Sequence, residues 1–331
     1  MNPVLLTELI MMTLLGVDLG GTKLAIAEFT EAGDLLRKEM TLLDTRTGSA
    51  VGELIVQQIG AWLKREGSEI DAIGISVPGI YHSDTGTVWA PNISGWADYP
   101  LLKEVQHISG QIPVTINNDR TCYILGESWK GNARGSKDAI FLSVGTGIGA
   151  GILINGEPLR GAHDIAGCIG WMALNRPYKE EYIECGCFEH YASGEGIAKT
   201  ARNKLESDAA YTGILRYKEP SALVAADVFS AFEKNDPIAL AVMALSIECW
   251  GMAIANLISL FNPEKIILGG GVFGPARQFI PDIRKEVRRW AQPVSVHQCS
   301  IEESALGGDA GLYGAGFLAL KNTSAPNIPI N

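Results

Sequence analysis

The stretch LLGVDLGGTKLAIAEF, residues 14–29, decides the fold. It reads as an apolar strand, a tight turn at Gly20-Gly21 and a second apolar strand. The plan recurs about 125 residues later in IFLSVGTGIGAGILIN, residues 140–155, with Gly145, Gly147 and Gly149 at the turn. Polar turns follow both, Glu31-Ala32-Gly33-Asp34 and Asn155-Gly156-Glu157-Pro158, as hairpins in a mixed sheet require. A duplicated, sheet-bearing lobe is therefore expected. A third glycine turn, Gly269-Gly270-Gly271, follows the apolar run Lys265 to Leu268. Glycine lets neighbouring backbone N–H groups converge on one point, and such a nest complements an anion. Three nests point to one polyphosphate held from several sides.

Working outward, residues 51–64 place Val51, Leu54, Ile55, Ile59, Trp62 and Leu63 on one face at helical period. A strand over 72–77 follows and ends at Pro78-Gly79, an α/β crossover whose loop opens at the carboxyl edge of a sheet, where ligands bind. A second strand, 113–116, ends at Asn117-Asn118-Asp119 ahead of a helical stretch over 121–129. Helical patterns then cover 196–205, 221–233 and 237–261, the last stopped by Asn262-Pro263. The closing stretch 305–320 carries Gly307, Gly308, Gly311, Gly314 and Gly316, a small-residue face that lets a helix pack closely and brace the first lobe. At 331 residues the chain exceeds the size of one core, so two lobes and a cleft are expected. The expected domains are 1–120 with 305–331, and 121–304.

Composition is that of a globular protein, 47% hydrophobic and 19% charged, with a formal net charge of −10. That charge and the absence of a Lys/Arg stripe disfavour nucleic acid and anionic membranes, leaving a small molecule as the expected partner. The opening MNPVLLTELIMM has no basic region or small-residue cleavage site and is read as a cytoplasmic start. Charges or glycines are read as interrupting every apolar run before the roughly 18 residues a bilayer demands, so no membrane span is expected. The six cysteines are expected to be reduced, mostly as core fillers.

Asp18 ends an apolar strand beside Gly20-Gly21-Thr22-Lys23. A carboxylate there can hold a magnesium ion next to phosphates received by the amides and Thr22, or it can merely close an Asx-type turn. The spacing is not that of a Walker loop. Nor does Gly145-x-Gly147-x-Gly149 match the dinucleotide fingerprint, because it leads into a strand. Asp119, at a strand mouth ahead of a helix, can cap that helix or accept a proton from an attacking hydroxyl. Alone, the cap is the commoner role; beside three phosphate-like turns, the base is preferred.

Together these motifs give the chain a resemblance to the ROK family (repressors, open reading frames and kinases) of glucokinase-like sugar kinases. It is carried by GVDLGGTKLAIA at 16–27, GISVPGI at 74–80, APN at 90–92 with Trp96, and NNDRTCYILGE at 117–127. SVGTGIGAGILINGEPLRGAHDIAG at 143–167, GCFEHYASG at 186–194 and ILGGGVFG at 267–274 extend it over most of the chain. The resemblance implies an α/β, two-lobed actin/hexokinase-like (ribonuclease H-like) ATPase fold with a central cleft. It implies an ATP- and Mg2+-dependent kinase acting on the 6-hydroxyl of a hexose or hexose-like polyol, with Asp119 as general base. It also implies that Gly79, Asn92, Asn118, Asp119 and Glu189 meet the sugar. Gly20, Gly21, Thr22, Lys23, Thr146, Gly147, Gly270 and Gly271 would surround the nucleotide phosphates, with Asp18 serving the magnesium. Relatives are often dimers, so a homodimer is among the expectations.

The departures bear on specificity. Where the family reads Glu-x-x-His after an Ala-Gly pair, this chain has Cys168 and Trp171, so two usual sugar readers are missing. Trp171 can face a sugar ring or fill volume, and His163, Tyr178 and Tyr182 are candidates for replacement hydrogen bonds. The family's zinc-binding cysteine motif is shortened to Cys185-Gly186-Cys187-Phe188-Glu189. A rearranged zinc set of Cys168, Cys185, Cys187 and His190 is chemically allowed. Ordinary loop composition is the preferred reading, and zinc is not expected. The alternative function is a weak or silent sugar sensor without a DNA-binding domain.

Overall fold

Strand β1 (Thr13–Leu19) pairs antiparallel with β2 (Lys23–Thr30), and β2 with β3 (Leu35–Leu42), so the opening hairpin forms as its alternation requires. The computed structural model describes residues 12–67 and 69–323; the opening MNPVLLTELIM, and with it the expected cytoplasmic start, lies outside the described residues. Two compact units are formed, one from the chain up to Lys130 and from Asp309 onward, the other from Gly131–Gly308.

In the first unit β3 leads into α1 (Ser49–Leu63), then β4 (Ala72–Val77), the short pair β5 (Ile80–His82) and β6 (Thr87–Trp89), α2 (Leu101–Ser109), β7 (Val114–Asn118) and α3 (Asp119–Lys130). The sheet order is β3-β2-β1-β4-β7, and β1, β4 and β7 run parallel. Strand β4 is buried along its whole length, which is why it reads as a continuous apolar run, whereas β3 is mostly exposed at the sheet edge. Helix α1 buries Val51, Leu54, Ile55, Ile59 and Trp62, the face its periodicity picks out. Fully burying an aliphatic or aromatic side chain of this kind contributes about 1.5–3 kcal/mol.

The second unit holds β8 (Ala139–Val144), β9 (Ile148–Ile154), β10 (Glu157–Pro158), α4 (Cys187–Ala192), α5 (Gly194–Ser207), α6 (Ala225–Phe232) and α7 (Pro237–Phe261). β11 (Lys265–Gly269), α8 (Phe273–Ala276), α9 (Ile280–Trp290) and β12 (Ser300–Glu303) complete it. Its sheet order, β10-β9-β8-β11-β12, repeats the first position for position, with an antiparallel hairpin followed by parallel neighbours. The duplication expected from the two hairpin sequences is thus present in the topology.

Helix α7 corrects one expectation. By length and composition it could cross a membrane, because Glu248 and Gly251 do not offset its apolar run. Its apolar surface is instead used within the second unit, where Val242, Met243, Trp250, Ile254 and Leu257 are buried in the core. Asp236 caps its start, accepting from the N–H groups of Ile238 at 3.0 Å and Ala239 at 3.1 Å, and Asn262 ends it in a left-handed conformation.

The chain returns to the first unit in α10 (Ala310–Thr323), which packs on α3, β4 and β1. Its glycine face is required by close approach: a Cβ on Gly314 would lie 1.8 Å from the Cys122 carbonyl oxygen, and one on Gly74 would lie 1.9 Å from that of Ala315. The brace read from residues 305–320 is therefore present, beginning at Ala310.

Candidate active site

The first group of candidate residues gathers where β1, β4 and β7 end. Parallel register sets Asp18 opposite Ser76 and Ser76 opposite Asn117, so three polar residues share one rung at the carboxyl edge of the sheet. Past that rung come the Gly20–Lys23 turn, closed by Gly20 N donating to the Lys23 carbonyl at 2.9 Å, and the Pro78-Gly79 turn. Gly79 has φ +86°, and a Cβ there would strike the Trp89 carbonyl oxygen at 2.1 Å, so this turn lies tight against the start of the loop carrying Asn92. Asn92 is exposed. Trp96 is committed to structure, donating from Nε1 to the Gly48 carbonyl at 2.9 Å and stacking on Tyr99.

Asn118, not Asp119, caps α3: its Oδ1 accepts from Thr121 N at 2.9 Å. Asp119 is the first helical residue, and its carboxylate is spared the cap. Its Oδ1 accepts from Arg120 N at 2.8 Å and its Oδ2 from the Tyr123 hydroxyl at 3.4 Å. The Arg120 Nε lies 3.9 Å from Oδ1. The side chain of Asp119 keeps 27% of its surface exposed, yet its surroundings still desolvate it. Burial raises its pKa above the ordinary carboxylate value, opposed by the Arg120 guanidinium and by the Arg120 N–H and Tyr123 donors.

Asp18 is pushed up to about 6, first by burial, with Asp119 and Asp309 adding like charge while Ser76 and Lys23 pull the other way. A Cβ on Gly311, in the first turn of α10, would come within 2.7 Å of Asp18 Oδ1, so the carboxylate is packed against that helix start. The Ser76 hydroxyl is fully buried and near enough to temper the Asp18 shift, but its oxygen has no partner at hydrogen-bond geometry.

The second group lies within the other unit. Gly194 N donates to the Gly145 carbonyl at 2.7 Å and Val272 N to the Val144 carbonyl at 3.0 Å, joining the 145–147 turn, the start of α5 and the turn after β11. Gly270 has φ +89°, and a Cβ there would meet the Val144 carbonyl at 2.4 Å. Gly145 and Gly271, by contrast, face open space where a side chain would stand, as does Gly21 in the first unit. Thr146 is exposed on its turn.

Glu189, on α4, accepts from Ile148 N through Oε2 at 2.5 Å. A Cβ on Gly147 would lie 2.8 Å from that oxygen and one on Gly170 2.9 Å, so the carboxylate is wedged between the glycine turn and the 169–171 segment. Burial raises its pKa, and the Ile148 N–H opposes the rise. Trp171, at the end of that segment, is 57% exposed, and His163 is exposed on the preceding loop.

The rearranged zinc set is not assembled. Cys187 is buried in the core, Cys185 is half-buried with Sγ 3.8 Å from the Gly186 carbonyl oxygen, and His190 Nε2 lies 3.3 Å from Glu181. Rings of Tyr182 and Tyr191 pack edge-on against His190. Among the described residues no group of three or more His, Cys, Asp or Glu side chains gathers in a way that could hold a metal ion. Cys187 and His190 are both buried on α4, whereas Cys185 precedes the helix and is only half-buried.

Sequence reasoning passed over Ser76, Tyr123 and Arg120. Ser76 and Tyr123 carry no local signal. For Arg120 a signal existed: a cation in a helix's first turn opposes the macrodipole.

The ROK family model matches residues 14–322. A glucokinase from Halalkalibacterium halodurans is 33% identical to this chain over 92% of it and 93% of the relative. Among solved structures, the ROK hexokinase from Thermus thermophilus has a TM-score of 0.78 at 27% identity, covering 94% of this chain and 99% of that one. A ROK family glucokinase from Streptomyces griseus, solved with glucose and AMPPNP, has a TM-score of 0.71 at 30% identity with the same coverage.

Proposed function

We propose that this chain, which belongs to the ROK family and is a carbohydrate kinase, uses ATP to phosphorylate a hexose or hexose-like polyol with Asp119 as general base. It shares the two-sheet α/β fold of the actin-like ATPases. By family analogy the acceptor is the 6-hydroxyl and the enzyme is cytoplasmic.

Asp119, ionised, takes the proton of the acceptor hydroxyl as its oxygen bonds to the γ-phosphorus. The bond from that phosphorus to the bridging oxygen breaks, its electrons leave with ADP, and the proton passes from Asp119 to solvent. Phosphate contacts are assigned to Gly20, Gly21, Thr22 and Lys23 in the first unit and to Thr146, Gly147, Gly270 and Gly271 in the second. The open space at Gly21 and Gly271 supports this, because a ligand can approach the backbone there. Sugar contacts are assigned to Gly79, Asn92, Asn118 and Glu189, with Trp171 and His163 in the place of the missing readers.

Magnesium fits the first group. Asp18 is a desolvated carboxylate with a raised pKa beside the unpartnered Ser76 oxygen, an oxygen-donor environment in which a hard cation relieves the cost of burial. Asp18 would hold it, usually through water, and when bound it would neutralise charge on the phosphate oxygens.

The observation that carries the assignment is that Asn118 takes the helix cap, leaving the Asp119 carboxylate at the sheet's carboxyl edge. ADP release on a panel of aldoses, ketoses, amino sugars, N-acetylated sugars and inositols tests it. Turnover on at least one sugar, falling on the order of 10²-fold or more in Asp119→Asn, is expected. Binding of a sugar with no ADP release on any would refute the kinase reading and leave a silent sensor.

A further inference from the structure

Arg120 occupies a place that helix electrostatics disfavours. It is the second residue of α3, where a cation meets the positive end of the helix dipole. A residue that breaks a local rule is expected to gain something from tertiary structure, and here the compensating contacts are visible. Its Nη2 donates to the Gly79 carbonyl at 3.1 Å, spanning 41 positions of sequence to reach the turn after β4. Its Nε stands 3.9 Å from Asp119 Oδ1, and its side chain is only 15% exposed. One largely buried guanidinium therefore touches the turn assigned to the sugar and the carboxylate assigned to the proton.

We propose that Arg120 is a positioning residue that holds the Gly79 turn in register with Asp119 and keeps that carboxylate ionised for the transfer. This rests on the kinase reading above. The charge half follows from what faces Asp119. Asp18 on β1 is a carboxylate whose own protonation Asp119 favours; Cys122 and Tyr123, on α3 itself, are held as neutral thiol and phenol well above their ordinary values; Ser76 on β4 is uncharged. Lys23 favours the ionised form of Asp18, and Asp309 opposes it. Among the described residues Arg120 is the cation acting on Asp119, with Nε 3.9 Å from Oδ1. The clamp half follows from the Gly79 contact, since the turn is tied to the same guanidinium that faces the base.

The two halves separate experimentally. In Arg120→Met the stem remains but the charge and donors go, so the acid limb of the kcat/KM profile should move up by about one pH unit or more. Sugar KM should rise about tenfold, the scale of one charge-assisted hydrogen bond. Arg120→Lys keeps the charge without the planar fork, so its acid limb should stay with the wild type while sugar KM remains raised. A merely structural role would lower the melting temperature and turnover without moving the limb. If Arg120→Met does not fold, the Arg120→Lys split decides alone: a raised KM with an unmoved limb is required, and a wild-type KM overturns the proposal. Coincident profiles and KM values in Arg120→Met and wild type also overturn it. Asp119→Asn belongs in the same assay. If it is inactive while Arg120→Met is unchanged, the Arg120 proposal alone fails; full turnover in Asp119→Asn removes the base reading and this proposal with it.

Discussion

Replacing Gly314 by alanine adds one methyl group at the tightest helix contact in the first unit. The new Cβ would stand 1.8 Å from the Cys122 carbonyl oxygen, 2.4 Å from its carbonyl carbon and 2.7 Å from its Cα. All three atoms are backbone, so no side chain can rotate away, and α10 and α3 must separate by about 1.5 Å to restore ordinary contact. Overpacking of this kind costs about 1–3 kcal/mol, against a helix-propensity gain of about 1 kcal/mol for glycine to alanine. The net expectation is destabilisation. Gly60 in α1 supplies the control, since the closest atom to its added Cβ is the flexible end of Ile108 at 3.8 Å. There the propensity gain stands alone, and Gly60→Ala should stabilise by about 0.5–1 kcal/mol. Urea unfolding followed by tryptophan fluorescence measures both. Because α3 begins with Asp119, the displaced helix should also lower kcat/KM, as small misplacements of a base do. Unchanged or greater stability in Gly314→Ala, or equal losses in the two variants, would refute the close-packing argument.

Asp18 has a native pKa of about 6 against an ordinary 3.8, so the folded state holds its proton more tightly and stability contributed by this group falls as pH rises between those values. Asp18→Asn should therefore be more stable than the parent at pH 8, by at most about 3 kcal/mol, and the difference should shrink towards pH 4; melts across that range check it. Magnesium should raise the parent's melting temperature and leave that of Asp18→Asn little changed. Glu189→Ala removes the charged acceptor of Ile148 N and should cost about 1.5–3 kcal/mol, whereas Glu189→Gln retains an acceptor and should lose less by the same denaturation assay. Elemental analysis should find zinc well below one atom per chain, and a stoichiometric content would mean that Cys168, Cys185, Cys187 and His190 rearrange to bind it.

Much of the fold was legible where local chemistry and tertiary need agree. The strand at 72–77 and the helix at 237–261 were readable end to end, the first because both its faces are buried, the second because Asp236, Pro237 and Asn262 punctuate it. Strand β3 and the β5–β6 pair gave weak signals, β3 because it is exposed and the pair because it is short. The same limit applies to the candidate site. Asp18, Gly79 and Asp119 stand at strand ends that sequence reveals, but the choice between Asn118 and Asp119 as cap depends on a rotamer. Arg120 acquires its role only through Gly79, a partner 41 residues away. The apolar length of α7 shows the converse, since composition alone does not distinguish a core helix from a membrane span.

Identifying the phosphorylated product decides whether Asp119 serves phosphoryl transfer to a sugar. Wild-type protein incubated with ATP, magnesium and its preferred sugar should yield one equivalent of sugar phosphate per ADP, and Asp119→Asn, folded as judged by its melt, should form it on the order of 10²-fold more slowly. Equal rates in the two proteins, or ADP without phosphorylated sugar, would contradict the account.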